Sequence, residues 1–347
     1  MNSPTSFGAV PIIDVTPLRA GGPPAGFAAV AHQLGAAARE VGFFYVTGSG
    51  IPAGLFDDLL AVTKQFFARP IDEKMRCYIG LSDCHRGYVP QGEEGVDPEN
   101  PDRKEAYDSA LDLPADDPDH LAGNPLLGPN QWPDQPGFAE AVTRYYHAVL
   151  DFGQLLFRAF AISLGEPAEL FAAKARKAPS QLRLIHYPYD SEAVDSVGLG
   201  AHTDYECFTL LRPTAPGLEV LNGAGDWIDV PPVDDALVVN IGDLLEIWTN
   251  GEFVATSHRV RRVQEERYSF PLFFCADYDT VIEPLPRFLA PGKKVYAPAV
   301  AGEHLFAQTA QTFGYLKRRL ESGELVLPEG SRAPSSFGQE ALLRKDK

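Results

Sequence analysis

The sequence predicts a mainly β protein with flanking helices, its core a sandwich or jelly roll. Three observations carry that prediction. From Gln181 to Glu283 apolar residues recur with a period of two, the period of a half-buried strand. Turns holding Gly, Asn, Asp or Pro break this stretch at short intervals, as they do in sandwiches and jelly rolls. Helical periodicity lies outside it, in the N-terminal half and near the C-terminus.

In chain order, Val10-Pro11-Ile12-Ile13-Asp14-Val15 reads as a short strand with Pro11 at its edge. A helix follows Pro23-Pro24: Phe27, Val30, Leu34 and Val41 recur at helical spacing, and Gly42 ends it. Phe43-Phe44-Tyr45-Val46 reads as a buried strand, and Leu55 to Phe67 as a second amphipathic helix stopped by Pro70. From Leu81 to Pro136 the pattern dissolves into a long irregular region, the kind of segment that is usually functional or disordered. Phe138, Val142, Tyr145, Val149, Phe152, Leu156 and Phe160 then mark a core helix ending near Gly165. The strand candidates that follow are Leu182 to Tyr187, Phe208 to Leu211, Leu218 to Leu221, Ala236 to Val239, Leu244 to Trp248 and Arg267 to Phe274, with Ala255 to Val263 as another. A last helix is expected over His304 to Leu320, and a loose tail after Gly330.

The 347 residues suffice for one large domain or two ordinary ones, and 45% hydrophobic content fits a globular protein. No apolar run is long enough to cross a bilayer, so no membrane partner is expected. The opening Met1 to Thr5 lacks the features of a secretory signal, which predicts a cytoplasmic protein. A formal net charge of −17 predicts no nucleic-acid partner, because that affinity comes mainly from Lys and Arg displacing counterions. Cys77, Cys84, Cys207 and Cys275 form no C-x-x-C pair and are read as reduced structural thiols. Oligomeric state is not readable.

The chemistry gathers in three short runs: Ala201-His202-Thr203-Asp204, Ser257-His258-Arg259-Val260 and Arg267-Tyr268-Ser269. In extended backbone, residues two apart point to the same face, so His202 and Asp204 can reach one metal together. With His258 they make two imidazoles and a carboxylate, the ligand set of a non-heme iron(II) centre that keeps positions open for oxygen chemistry. A lone H-x-D is weak evidence, and the other histidines are read as ordinary hydrogen-bonded ones. Arg267 and Ser269, also two apart, share a face of the next strand; a guanidinium fork and a hydroxyl suit the far carboxylate of a bound organic acid. Tyr187 is a further donor candidate, and Glu93, Glu94, Asp108 and Glu206 are carboxylates that would suit a substrate amine.

These runs, with Gly42 to Val46, Leu184 to Pro188, Gly200 to Tyr205, Val239-Asn240-Ile241-Gly242-Asp243 and Trp248 to Gly251, resemble in order the isopenicillin N synthase-like family of iron(II)- and 2-oxoglutarate-dependent oxygenases. The resemblance implies a double-stranded β-helix (jelly roll). It implies one oxygenase domain over 1–347: a mostly helical N-terminal region 1–177 with an irregular substrate-side loop, a catalytic core 178–285, and a C-terminal helix and tail 286–347. It implies His202, Asp204 and His258 as ligands of Fe(2+), with Arg267, Ser269 and Tyr187 holding 2-oxoglutarate and O2 as the oxidant. Arg183 matches an arginine near the cosubstrate in the similar ethylene-forming enzyme. Arg86, Tyr88, Glu93, Glu94 and Tyr205 fall where the family lines its substrate pocket, with Arg86 to Glu94 expected to order on binding. The implied reaction is oxidation, most simply hydroxylation, of a C–H bond in a small soluble molecule such as an amino acid or specialised metabolite, with release of succinate and CO2. The alternatives are a 2-oxoglutarate-independent oxidase like isopenicillin N synthase, an ethylene-forming enzyme, and a non-catalytic binder of a small acid. Asn240 to Asp243 is read as a tight structural turn.

Overall fold

The computed structural model describes residues 5–19, 24–95, 104–189, 197–261, 264–292, 295–328 and 331. The tail after Gly330, Ser331 apart, lies outside the described residues, as do Arg262 and Val263.

The N-terminal elements form where the sequence places them. Strand β1 (Ile12–Asp14) pairs in parallel with β2 (Phe43–Thr47), and helix α1 (Pro24–Glu40) connects them. Helix α2 (Ala53–Phe67) and the short α3 (Ile71–Lys74) follow. The expected irregular region then requires a correction. It contains β3 (Gly87–Val89) and β4 (Glu105–Ala110), paired antiparallel, and β4 is buried along its whole length. A strand reading Glu-Ala-Tyr-Asp-Ser-Ala looks like a loop because two of its residues are acidic. Both carboxylates are inside, and both have partners: Glu105 takes Lys74 Nζ and the Tyr88 hydroxyl at 2.6 Å each and His186 Nδ1 at 2.9 Å, while Asp108 takes Arg183 at 2.7 and 2.8 Å. Buried charges persist when paired and hydrogen-bonded in this way.

After the short α4 (Pro118–Leu121), α5 (Phe138–Ser163) is the main helix of the core, followed by α6 (Glu169–Ala172). It packs closely on the sheet because Gly153 has no side chain; a Cβ there would lie 2.4 Å from the Phe274 ring. The remaining strands are β5 (Gln181–Tyr187), β6 (Val197–His202), β7 (Phe208–Pro213), β8 (Leu218–Leu221), β9 (Trp227–Asp229), β10 (Leu237–Ile241), β11 (His258–Arg261) and β12 (Arg267–Phe274). Among the described residues the large sheet runs β1-β2-β10-β7-β12-β5-β4-β3, and the facing small sheet runs β6-β11-β8-β9. This is the expected jelly roll. The expected boundary at residue 178 cuts through it, however, since β1 to β4 supply half of the large sheet.

Two further expectations are corrected. Leu244 to Trp248 is helical, within α7 (Asp243–Trp248), all of it buried. A short apolar run has the same composition in either conformation when it is buried on every side. The single C-terminal helix is two, α8 (Ala301–Ala310) and α9 (Gly314–Glu321). The break is held by the chain before β4: Gly95 N–H donates to Thr312 O, Gly314 N–H to Glu93 O, and Tyr315 N–H to Glu93 Oε1, at 3.1, 2.7 and 2.6 Å.

Candidate metal and cosubstrate site

Register builds the metal site. β11 lies antiparallel to β6 with His258 directly opposite His202, and Asp204 follows two residues beyond His202. Each imidazole is oriented through its Nδ1, His202 against Gly200 O at 2.8 Å and His258 against Thr256 O at 3.3 Å. A backbone carbonyl accepts only, so Nδ1 carries the proton and Nε2 keeps its lone pair for a metal. Asp204 Oδ1 stands 3.7 Å from His202 Nε2 and 3.5 Å from His258 Nε2. One ligand atom from each of the three residues lies within 4.8 Å of the others, a separation suited to donors around one cation. Burial and the neighbouring His258 push His202 down to about 4, which leaves it neutral and able to ligate. Burial raises the Asp204 carboxyl, but His258, His202 and the Asn240 amide outweigh it and hold the group well below the usual range. Two imidazoles and one carboxylate fit iron(II), and among the described residues no further His, Cys, Asp or Glu joins them.

The candidate anion site is built by the pairing of β12 with β5. Arg267 opposes Tyr187, and its guanidinium carbon lies 4.8 Å from the centre of that ring. Arg267 is 1% exposed. Its Nε donates to Ala215 O at 3.2 Å, Nη1 is buried without a partner, and no carboxylate pairs with it among the described residues. A buried cation without a counter-charge is unfavourable by several kcal/mol, on the order of the penalty per ion after relaxation. Such a group persists where an anion completes it. Ser269, two residues on and buried, shares the face. The structure thus brings Arg267, Ser269 and Tyr187 together on one wall. Strand β7 ties this wall to the metal site, because Pro213 opposes Ser269 while Thr209 bonds to Asp204.

Other expected site residues are engaged elsewhere. Arg183 lies on the same face of β5 as Tyr187, but its guanidinium is saturated by Asp108 and by Glu94, the latter at 2.9 and 3.0 Å. Arg86 is buried and donates to the carbonyls of Cys84, His85 and Leu126, and Tyr88 is buried against Glu105. Glu93 holds the α8–α9 break, and Glu94 also meets Lys104 at 3.1 Å. Arg86, Tyr88, Glu93 and Glu94, expected to line the substrate pocket, are thus each bonded to other residues of the protein. Of the four carboxylates suited to an amine, Glu206 alone has no hydrogen bond or ion pair to another described residue; burial and nearby Asp204 push it up to about 8. Tyr205 is half-buried against the core.

Two residues carry a role the sequence reading did not give them, and the reading of Asn240 to Asp243 as a tight turn is corrected, since Asn240 lies in β10 and Asp243 opens α7. Asn240 Nδ2 donates to Asp204 Oδ2 at 2.7 Å, and the Thr209 hydroxyl donates to the same oxygen. A signal existed for Asn240. It is a polar side chain inside the apolar strand Leu-Val-Val-Asn-Ile, and a buried amide has to find partners.

Comparison with known proteins agrees with this geometry. A family model described as non-haem dioxygenase in morphine synthesis N-terminal matches residues 10–135, and the 2OG-Fe(II) oxygenase superfamily model matches 178–276. A homoarginine-6-hydroxylase of Glycine max is 36% identical, over 89% of this chain and 98% of its own. A 2-oxoglutarate-Fe(II) type oxidoreductase of Emericella nidulans is 33% identical, over 94% and 95%. Among solved structures, a putative 2OG-Fe(II) oxygenase family protein from Caulobacter crescentus superposes with a TM-score of 0.75 at 28% identity, covering 91% of this chain and 99% of that one. A full-length Neurospora crassa protein in complex with alpha-KG gives 0.73 at 26% identity, covering 90% and 96%.

Proposed function

Since the chain belongs to the isopenicillin N synthase-like family of 2-oxoglutarate- and iron(II)-dependent oxygenases, we propose that it hydroxylates a C–H bond of a small nitrogen-bearing molecule, such as a basic amino acid, at a centre made by His202, Asp204 and His258. It is a 2-oxoglutarate-dependent dioxygenase using Fe(2+) and O2. The chemistry supplied by iron(II) bound there is oxygen activation coupled to oxidative decarboxylation of 2-oxoglutarate to succinate and CO2.

The chain's own residues do the rest. His202, Asp204 and His258 hold the metal from one face, and Arg267 with Ser269 and Tyr187 anchors the distal carboxylate of 2-oxoglutarate. Burial of that wall keeps water from the anchored acid and strengthens its pairing with the guanidinium. The observation that carries this reading is the buried Arg267, with Nη1 unpartnered, on the wall that β7 joins to the metal ligands. The oxidase alternative is not favoured, because the close relatives are named for 2-oxoglutarate. Support for a basic substrate comes from relatives named homoarginine-6-hydroxylases and from the unpaired Glu206 carboxyl. No helix among the described residues is long and apolar enough to cross a membrane. The −17 charge supports an enzyme without nucleic-acid partners.

The test is oxygen uptake with homoarginine, other basic amino acids and thymine, each with and without 2-oxoglutarate. Uptake with a basic amino acid that requires 2-oxoglutarate, with succinate formed in step, is the expected result. Uptake without 2-oxoglutarate overturns the cosubstrate assignment, and thymine as the better substrate overturns the substrate class.

A further inference from the structure

The Asn240-Ile241-Gly242-Asp243 segment packs against the chain that carries the ligand carboxylate. Gly242 N–H donates to Cys207 O and Asp243 N–H to Asp204 O, both at 2.9 Å, and Leu244 N–H donates to Glu206 O at 3.1 Å. Three successive amides thus grip the stretch from Asp204 to Cys207. The approach requires glycine, since a Cβ on Gly242 would lie 2.3 Å from Glu206 O. Asn240 extends the grip to the side chain of Asp204. It lies directly opposite Thr209 in the β10–β7 ladder, so both side chains leave the sheet on one face and converge. They converge on a single atom, Oδ2 of Asp204.

We propose that Asn240 and Thr209 are positioning residues that make Asp204 a one-oxygen metal ligand. With Oδ2 held by an amide and a hydroxyl, only Oδ1 faces the two imidazole Nε2 atoms. A carboxylate gripping the cation with both oxygens would take one of the three positions that a bidentate 2-oxo acid and dioxygen need. The donors are neutral, so the carboxylate keeps its full charge for the metal, which a lysine or arginine in either place would cancel. Both donors are buried, Asn240 at 1% and Thr209 at 2% exposure. The proposal rests on the reading of His202, Asp204 and His258 as the ligands.

The experiment is an anaerobic titration of the metal-free full chain with Co(II), followed by calorimetry and by the visible absorption of the bound ion. Thr209→Val keeps the shape and removes the donor. It should weaken Co(II) binding about 10- to 100-fold, the usual effect of losing such a partner, and change the absorption bands as Asp204 turns. Thr209→Ser should restore both, and Asn240→Ala should act in the same direction as Thr209→Val. Wild-type affinity and spectrum in Thr209→Val, with binding lost in Asp204→Ala, overturn the positioning role and leave the ligand assignment standing. Unchanged binding in Asp204→Ala overturns the ligand assignment and the proposal together. Should Asn240→Ala fail to fold, the valine and serine variants at 209 decide alone.

Discussion

Replacing Arg267 by Leu separates a ligand's anchor from a structural residue. The guanidinium is 1% exposed, donates to Ala215 O, and leaves Nη1 without a partner. Losing the bond to Ala215 removes about 1.5–3 kcal/mol, the range for a charged donor, and losing the Tyr187 ring contact removes about 0.5–2 kcal/mol. Against this, relief of the unpaired buried group returns about 1–3 kcal/mol, and an apolar side chain fills the space. The net is a loss of about 1–2 kcal/mol, so the variant should fold with a melting temperature within a few degrees of the parent. Binding of 2-oxoglutarate has no such compensation. Truncating one partner of a buried charge pair removes about 2–5 kcal/mol, which is roughly a 30-fold to several-thousand-fold rise in KM at about 1.4 kcal/mol per tenfold. Thermal shift with Mn(II) reads both quantities in one experiment. At a hundred times its dissociation constant, 2-oxoglutarate should stabilise the parent by about 2.7 kcal/mol and Arg267→Leu hardly at all. A variant that keeps the parent's ligand-induced shift, or a KM within threefold, refutes the anchoring role.

Three other outcomes follow from the geometry. Arg183→Leu leaves Asp108 buried without its cation and Glu94 with Lys104 alone, and urea unfolding should show a loss of about 3–5 kcal/mol, partly recovered by adding Asp108→Asn; a loss below about 1 kcal/mol would show that the cluster is not structural. Burial pushes His304 down to about 4, below its unfolded value of about 6.5, so the folded state binds fewer protons between those values and its stability falls as pH drops from about 6.5 to 4, by about 3 kcal/mol in all; His304→Gln should flatten that slope in urea unfolding at pH 7.5 and 5. Because Glu93 and Gly95 are bonded across to the α8–α9 break, the amides of Gly95, Gly314 and Tyr315 should resist hydrogen exchange before any substrate is added; protection arising only with substrate would identify 86–95 as a closing lid instead.

What was legible in the sequence is what depends on neighbours in the chain. The helical spacing from Phe138 to Phe160 and the alternation in Leu182 to Tyr187 are local patterns, and both elements form. His202 and Asp204 were legible for the same reason, since two residues in extended chain share a face whatever surrounds them. The misses depend on distant partners. Strand β4 resembles a loop until Lys74, His186 and Arg183 are brought to its carboxylates. The C-terminal helix breaks at Thr312 because Glu93 and Gly95, far back in the chain, bond there. Arg183 is placed near the cosubstrate by the resemblance, and its pairing with Asp108 shows only once β4 lies beside β5. The meeting of Asn240 and Thr209 on one carboxylate oxygen is set by strand register, which no local spacing encodes.

The order of strands in the large sheet has a consequence for synthesis. Strand β2 pairs with β10, and β5 with β12, so chain ends made early wait for partners made late. β12 is the strand that joins the β1-β2-β10-β7 half to the β5-β4-β3 half. Until Phe274 has been added and has left the ribosome, both halves expose an unpaired edge. That interval is when the nascent chain is open to aggregation and to chaperones. The same strand carries Arg267 and Ser269, so the segment that closes the sheet also delivers the anchor for the cosubstrate. A fragment of residues 178–285, lacking β1 to β4, has no means of completing this sheet and is not expected to fold by itself.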